Sequence, residues 1–215
     1  MTQNDYSIHP PKILVTIEQG RAWGQDCAIY QEKLDGNFET VAMGGDVLAG
    51  ESIKNTLAGQ AWRGARVFVV WDCLARNGRD IRQQPASVRW NAARDLAGKY
   101  GLPVVQSDVN GGRLLARVLA AGGEGVVRKD AGATYFDAMQ ACKRSIIVEC
   151  RVTGIGPGQS ITLAGERGDL GKCPAKGGAA DRVRVGSVVR VEAACYTVNN
   201  KLREAKLCRE WLVTF

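Results

Sequence analysis

Two short motifs, about ninety residues apart, constrain this chain more than any other feature. The first is Lys33-Leu34-Asp35-Gly36, and the second is Glu124-Gly125-Val126-Val127-Arg128-Lys129. Asp and Gly favour a tight turn, which would hold Lys33 at the rim of a pocket. Alternation along an extended strand would place Glu124 and Arg128 on one face. A positioned lysine amine can act as a nucleophile, and a carboxylate can hold a divalent cation on phosphate oxygens. Taken alone, the first motif also fits a plain surface turn.

Between the two motifs lie signals for a strand and a helix. The apolar run from Val67 to Leu74 predicts a buried strand, and Asn77-Gly78 predicts a turn after it. Apolar residues at four-residue spacing predict a helix from Pro85 to Tyr100, ended by Gly101. A second helix is predicted over Gly112 to Ala121, before the second motif. This order favours a mixed sheet with covering helices.

After about residue 145 the sequence predicts short strands and no further helix. The expected strands are Ser145 to Thr153, Ser160 to Leu163, Val183 to Val191 and Glu204 to Val213. The stretch from Gly165 to Ala180 is expected to be a loop. Short strands separated by glycine and polar residues favour a small barrel.

In this order, the motifs resemble the covalent nucleotidyltransferase superfamily and, within it, the ATP-dependent DNA ligases. Lys33-Leu34-Asp35-Gly36 resembles motif I of that family, and Glu124 to Lys129 resembles motif IV. Glu51 resembles motif III, Trp71 stands in the segment after motif III, and Lys143 stands in motif V. The resemblance covers the chain from the strand before motif I to the C-terminus.

The resemblance implies an α+β fold of two domains. Residues 1–148 would form the adenylation (nucleotidyltransferase) domain, built on an ATP-grasp-like mixed sheet. Residues 149–215 would form an OB-fold domain, a small β-barrel. The latter segment carries eleven Lys or Arg against seven Asp or Glu, as expected for a surface that faces phosphates, although a solvated basic module has the same composition.

The resemblance also implies a reaction. Lys33 would attack the α-phosphorus of ATP, AMP would pass to the 5′-phosphate of nicked duplex DNA, and the 3′-hydroxyl would then displace AMP. The implied catalytic residues are Lys33, Asp35 and Glu124; the nucleotide-binding residues are Gln31, Glu32, Lys33, Glu51, Trp71, Lys129 and Lys143; the Mg²⁺ ligands are Glu124 and Glu51; the DNA-binding residues are Arg182, Arg184, Lys201 and Arg203. Gln31 and Glu32 equally fit plain strand residues, and Trp71 equally fits the core.

Two positions depart from the family pattern. Phe38 stands where the family usually has Arg or Lys after motif I, and Ala141 stands where motif V usually has its first lysine. Lys54, Lys129 or Arg144 are the expected replacements for these two cations.

Composition limits the other possibilities. The chain of 215 residues has a net charge of +7 and is 45% hydrophobic, which fits a globular protein with a polyanionic partner. No apolar stretch approaches the roughly 20 residues that span a bilayer, so we expect a cytoplasmic protein without a membrane partner. We also expect a monomer. Seven scattered cysteines and one histidine argue against a zinc site and against catalysis by a Ser-His or Cys-His pair.

Two other functions remain open on sequence grounds. An RNA ligase or an mRNA guanylyltransferase would share motifs I, III, IV and V. A nucleic-acid-binding relative without activity would explain the missing cations at Phe38 and Ala141.

Overall fold

The computed structural model describes residues 5–54, 66–166, 168–175, 182–196 and 199–212. Within these ranges the chain is a mixed α+β protein and consists mostly of strands. The helices are α1 (Ile17–Arg21), α2 (Ala86–Tyr100) and α3 (Gly111–Ala120). The strands are β1 (Lys12–Val15), β2 (Gln25–Lys33), β3 (Asn37–Met43), β4 (Asp46–Lys54), β5 (Arg66–Arg76), β6 (Arg79–Asp80), β7 (Ser107–Asn110), β8 (Gly125–Asp130), β9 (Met139–Lys143), β10 (Ile146–Gly156), β11 (Ser160–Gly165), β12 (Gly168–Pro174), β13 (Val188–Ala193), β14 (Cys195–Tyr196), β15 (Leu202–Arg203) and β16 (Lys206–Leu212).

The chain divides into two compact units, residues 1–143 and 144–215. The second unit therefore begins just before β10. The boundary expected from the sequence, between residues 148 and 149, falls inside this strand. None of the described helices combines the length and the apolar character that crossing a bilayer requires.

The first unit contains two sheets. One has the strand order β1-β9-β8-β2-β7, and the other has the order β3-β4-β5-β6. In the first sheet β2 and β8 are antiparallel, and their register places Lys33 opposite Gly125. On the other side of β8, Gly125 also lies opposite Lys143 of β9. The two motifs and the last lysine of β9 are thus adjacent on three neighbouring strands.

Helices α2 and α3 cover these sheets as the apolar spacing predicted. From α2, Trp90, Ala93 and Leu96 are buried in one core cluster with residues of β4 and β5. Gly101 ends α2 with φ 66°, a left-handed conformation that glycine adopts without strain. From α3, Leu115 packs in a second cluster with residues of β2 and β8.

A buried ion pair ties α2 to β5. Arg89 of α2 is 2% exposed, and its Nε donates to Oδ1 of Asp72 at 3.1 Å. Its Nη2 donates to Oδ2 of Asp72 at 3.3 Å, and its Nη1 donates to the carbonyl of Ala133 at 3.0 Å. The guanidinium is paired and hydrogen-bonded, which is what makes a fully buried arginine tolerable.

The second unit is built on one antiparallel sheet with the order β12-β11-β10-β13-β16. Its core is separate from that of the first unit and includes Val152, Ile161, Leu163 and Val191. Register shifts interrupt the pairing of β10 with β11 and of β11 with β12. Such bulges bend strands, and here the sheet curls into a half-barrel.

Several predicted elements were wrong. Residues 183–187, expected to begin a strand, lie before β13 and include a turn. The expected loop from Gly165 to Ala180 contains β12, while residues 176–180 lie outside the described ranges. Strand β1 ends at Val15, and the side chain of Thr16 then caps α1.

We expect Arg89→Met to lower the free energy of unfolding by about 3–5 kcal/mol, because Asp72 would keep a buried charge without its partner. Urea unfolding measures the change. Arg94→Met, at an exposed position of the same helix, is the control and should cost under 1 kcal/mol or so. Equal losses in the two variants would show that the buried pair does not stabilise the fold.

Candidate active site

A cleft in the first unit lies where the N-terminal segment meets β2, β4, β5, β8 and β9. It has a volume of about 340 Å³, counting its opening to solvent. Its lining residues combine lysines, carboxylates and apolar side chains: His9, Lys12, Gln31, Glu32, Lys33, Leu34, Glu51, Trp71, Val127, Lys129 and Met139. An apolar cavity with a few polar groups facing into it is the usual form of a small-molecule site.

Lys33, which lines the cleft, forms a short ion pair with Glu124. Nζ of Lys33 lies 2.6 Å from Oε1 of Glu124, and the two side chains are 16% and 9% exposed. The β2–β8 register brings them together, since Gly125 lies opposite Lys33. A side chain at Gly125 would not fit, because a Cβ there would lie 2.0 Å from the carbonyl oxygen of Cys142. The glycine after Glu124 therefore allows the close packing of β8 and β9 at this point.

Glu51 of β4 faces the same cleft. Its carboxylate accepts a hydrogen bond from the backbone of Gly36, and a Cβ at Gly36 would lie 2.8 Å from the carbonyl oxygen of Ser52. Burial raises the pKa of Glu51 to about 7, while the charges of Lys33 and Lys12 act in the opposite direction. This carboxyl group therefore changes charge near neutral pH.

Lys129 belongs to one wall of the cleft. Its Nζ donates to the carbonyl of Trp71 at 3.2 Å and to Asp72 at 3.4 Å, and it lies 4.4 Å from the centre of the Trp71 ring. Burial lowers the pKa of Lys129 to about 8, although the Asp72 charge opposes this. The ammonium group thus ties β8 to β5 while Lys129 also lines the cleft.

Arg128 faces away from the cleft, and the expectation that it shares a face with Glu124 was wrong. It forms ion pairs with Asp26 at 3.2 Å and with Asp130 at 2.7 Å. Glu124 precedes the first residue of β8, so strand alternation does not extend to it. The cleft face of β8 is instead formed by Val127 and Lys129.

Trp71 is both a core residue and a wall of the cleft. It is 7% exposed, and its ring lies parallel to that of Tyr135 with 6.3 Å between centroids. Phe38 and His9 complete this aromatic group, with centroids 6.0 Å and 5.8 Å from that of Trp71. Phe38, which replaces the expected cation, therefore extends an aromatic wall. Among the described residues, Nε1 of Trp71 is a buried donor without a hydrogen-bond partner.

Gln31 and Glu32 point to opposite sides of β2. Gln31 is 2% exposed, and its Nε2 donates to the carbonyl of Trp71 at 3.0 Å. The Glu32 carboxylate lies instead beside Gly123, whose Cβ would be 3.4 Å from Oε1. Burial raises the pKa of Glu32. Of these two residues, Gln31 is the one whose side chain lies on the same side of β2 as Lys33.

The remaining residues of the expected site lie around the Lys33–Glu124 pair. Asp35 is buried in the turn between β2 and β3, and Lys143 ends β9 opposite Gly125. The side chain of Lys54 lies outside the described residues. The sequence did not single out Lys12 or His9, because both precede the motifs by some twenty residues or more and carry no local signal.

Comparison with known proteins identifies the fold. No protein-family model matches the chain, and no curated protein matches its sequence. A structure from a structure–function study of Lig E DNA ligases matches with a TM-score of 0.66 and 18% identity, over 94% of this chain and 99% of that one. A mycobacterial DNA ligase D complexed with ATP and MES matches with a TM-score of 0.57 and 15% identity, over 98% and 96%. The ligase domain of M. tuberculosis LigD matches with a TM-score of 0.56 and 15% identity, over 99% and 100%.

The chain has the fold of minimal ATP-dependent DNA ligases. Glu51 lines the cleft and Glu124 pairs with the lining residue Lys33, so these two carboxylates are the ones that could hold a metal ion. No cluster of three or more His, Cys, Asp or Glu residues suited to a metal occurs among the described residues. One or two carboxylates fit Mg²⁺, which usually keeps several waters and binds substrate phosphates as well.

The expected DNA-binding residues all lie in the second unit of the ligase fold. Arg182 and Arg184 are exposed and precede β13, and Arg203 lies in β15. Nζ of Lys201 lies 2.6 Å from Oδ2 of Asp169, so its charge is already compensated in part.

We expect Glu51→Gln to stabilise the protein increasingly as the pH rises from about 4.5 to 7. The raised pKa means that the folded state binds a proton more tightly than the unfolded state, so wild-type stability falls over this range. The gain should exceed about 3 kcal/mol above pH 7, because the pKa rises from its ordinary 4.5 to about 7 and each pKa unit corresponds to about 1.36 kcal/mol. Unfolding titrations at several pH values measure it, with the exposed Asp95→Asn as control. A gain that does not change with pH would contradict the assignment.

Proposed function

We propose that this protein is an ATP-dependent DNA ligase that seals nicks in duplex DNA through a lysyl-adenylate on Lys33. The observation that carries the proposal is the ion pair of Lys33 with Glu124 at 2.6 Å, in which Lys33 lines a cleft of apolar and charged side chains. A solvated surface turn, the alternative interpretation of the Lys33 motif, does not account for a lysine that is 16% exposed and paired with a carboxylate that is 9% exposed.

In the first step, Nζ of Lys33 acts as the nucleophile. A bond forms between Nζ and the α-phosphorus of ATP as the bond from that phosphorus to the pyrophosphate oxygen breaks. The ammonium group of Lys33 first loses one proton to become the attacking amine. The nitrogen loses a second proton when the phosphoramide forms. Both protons pass to solvent. Phosphoryl transfer depends mainly on positioning and on charge neutralisation. Glu124 would hold Nζ in place before ATP binds.

The apolar part of the cleft suits a nucleobase. Leu34, Trp71, Val127 and Met139 provide flat apolar surface, and the indole offers a large ring for contact. Gln31 is held by its Nε2–H bond to the Trp71 carbonyl, so its amide oxygen is the acceptor we assign to the base amino group. In the matching mycobacterial DNA ligase D, ATP is the bound nucleotide, which supports ATP here.

The charged end of the cleft suits the phosphates and Mg²⁺. We assign the metal to Glu124 and Glu51, and the α-phosphate to Lys143. When bound, Mg²⁺ would neutralise charge on the phosphate oxygens. Glu51 has a pKa of about 7, and a nearby cation would favour its charged form. Lys129, whose ammonium group contacts the Trp71 carbonyl and Asp72, supports the wall beside the base.

We assign DNA binding to the second unit as an OB-fold. When the five strands of its main sheet are numbered in chain order, the sheet has the order 3-2-1-4-5, and the two outer strands β12 and β16 approach each other. An OB-fold is a five-stranded, partly open barrel. The segment 149–215 has four more basic than acidic residues, which favours contact with a phosphate backbone. The matching Lig E study concerns DNA binding with a minimal scaffold.

We expect Lys33→Ala to abolish both labelling by ATP and sealing of nicked DNA, because it removes the amine that forms the bond to the α-phosphorus. The assay is incubation with labelled ATP and Mg²⁺ followed by a denaturing gel. A parallel incubation with GTP tests the guanylyltransferase alternative, and a nick with RNA on its 3′ side tests an RNA ligase.

Glu124→Gln serves as a matched variant of the same pair. It should leave the fold intact and lower labelling by about 10²-fold, the usual cost of removing a charge-stabilising group at a reacting centre. A labelled adduct that persists in Lys33→Ala would overturn the mechanism.

We expect the double variant Arg182→Ala, Arg184→Ala to reduce the salt dependence of nicked-duplex binding. Each lost phosphate contact should lower the slope of log K against log salt by about 0.9. Fluorescence anisotropy across a salt series measures the slope. Arg94→Ala in the first unit removes one exposed charge and should leave the slope unchanged. An unchanged slope in the double variant would remove these arginines from the DNA interface.

A further inference from the structure

The cleft needs a cation that it does not obtain from the expected positions. A bound triphosphate brings several negative charges, and Lys33 must lose its charge to attack. Positions 38 and 141 carry Phe and Ala. Lys129, one of the expected replacements, is 3.2 Å from the Trp71 carbonyl and 3.4 Å from Asp72, so its ammonium group already has partners in the wall.

Lys12 is the other lysine that lines the cleft. It is the first residue of β1, which runs parallel to β9 and places Lys12 opposite Met139, itself a lining residue. It therefore enters the cleft from an element that precedes every recognised motif.

The segment before Lys12 is held in place by several contacts. Nη1 of Arg82 donates to the carbonyl of Asp5 at 2.7 Å, and the guanidinium lies 4.7 Å from the centre of the Tyr6 ring. The hydroxyl of Tyr135 donates to the carbonyl of Ile8 at 3.1 Å. On the other side of this segment, β1 pairs with β9 from Lys12 onward. The backbone around Lys12 is therefore positioned before any ligand binds.

The ammonium group of Lys12 lies within electrostatic reach of the reacting centre. It interacts with Lys33, Glu51, Glu124 and Lys143. Although the residue as a whole is exposed, desolvation of its charged end lowers the pKa of Lys12, and the nearby lysines lower it further. A phosphate group placed among these lysines would relieve their mutual repulsion and favour the charged form of Lys12.

We propose that Lys12 binds the phosphates of ATP in the adenylation step, and that it replaces the cations missing at positions 38 and 141. This inference rests on the proposed function and adds a specific residue to it. Lys12 acts as a phosphate ligand and not as a nucleophile, so it does not carry the covalent adduct.

The test measures adenylation of the full chain as a function of ATP concentration. Lys12→Ala should raise the apparent KM for ATP by about 10- to 100-fold, the usual effect of losing a charge-assisted hydrogen bond. Lys12→Arg keeps the charge and should recover most of the loss. Arg94→Ala, at an exposed position of α2, is the control and should match the unsubstituted chain.

A second measurement separates phosphate binding from a structural role. In the Lys33→Ala background, where no adduct forms, calorimetry would compare ATP with adenosine. Adding Lys12→Ala should weaken binding of ATP by a similar factor and leave binding of adenosine unchanged. If Lys12→Ala weakened the binding of ATP and adenosine equally, or had the KM of the unsubstituted chain, the role of Lys12 would be overturned. The proposed function would still stand. If the unsubstituted chain neither binds ATP nor reacts with it, the proposed function and this inference both fail.

Discussion

The pairing of β2 with β8 is the constraint on which the cleft depends. Its register sets Lys33 against Gly125, and the missing side chain at Gly125 lets β9 pack within van der Waals distance. Three strands then bring Lys33, Glu124 and Lys143 to one point. A slip of one residue would turn Lys33 to the α3 side of the sheet, since side chains alternate along a strand. Backbone pairing, more than any side-chain contact, therefore positions the proposed nucleophile.

A second layer of interactions holds the walls of the cleft. Asp72 pairs with Arg89 and also contacts Lys129, while the Trp71 carbonyl accepts hydrogen bonds from Gln31 and Lys129. Buried charges are costly unless they are paired and hydrogen-bonded, and here the donors meet acceptors on β5. Lys129 therefore has a structural part in the cleft, in which its ammonium group already has two partners on β5. Glu51 differs from these groups. The charges of Lys33 and Lys12 do not fully offset the cost of burying its carboxylate, so its pKa is near 7.

The sequence predicted the elements whose formation depends on neighbouring residues in the chain. Apolar spacing predicted α2 and α3, and the motifs predicted that Lys33 and Glu124 lie together. Strands β3 and β4 were not predicted, because their burial depends on partners elsewhere in the sheet. The orientation of Arg128 was predicted wrongly, because Glu124 lies before the strand whose alternation was applied to it. Lys12 has no motif around it, and only the parallel pairing of β1 with β9 brings it to the cleft. The assignment of the individual site and DNA-binding residues stays a prediction.

The most direct test of the account is to locate the covalent adduct. The full chain would be incubated with ATP and Mg²⁺, digested and analysed by peptide mass spectrometry. The account predicts one AMP group, attached to Nζ of Lys33 and lost from the protein when nicked DNA is added. An AMP group on another lysine, or a chain that remains unmodified under these conditions, would contradict it.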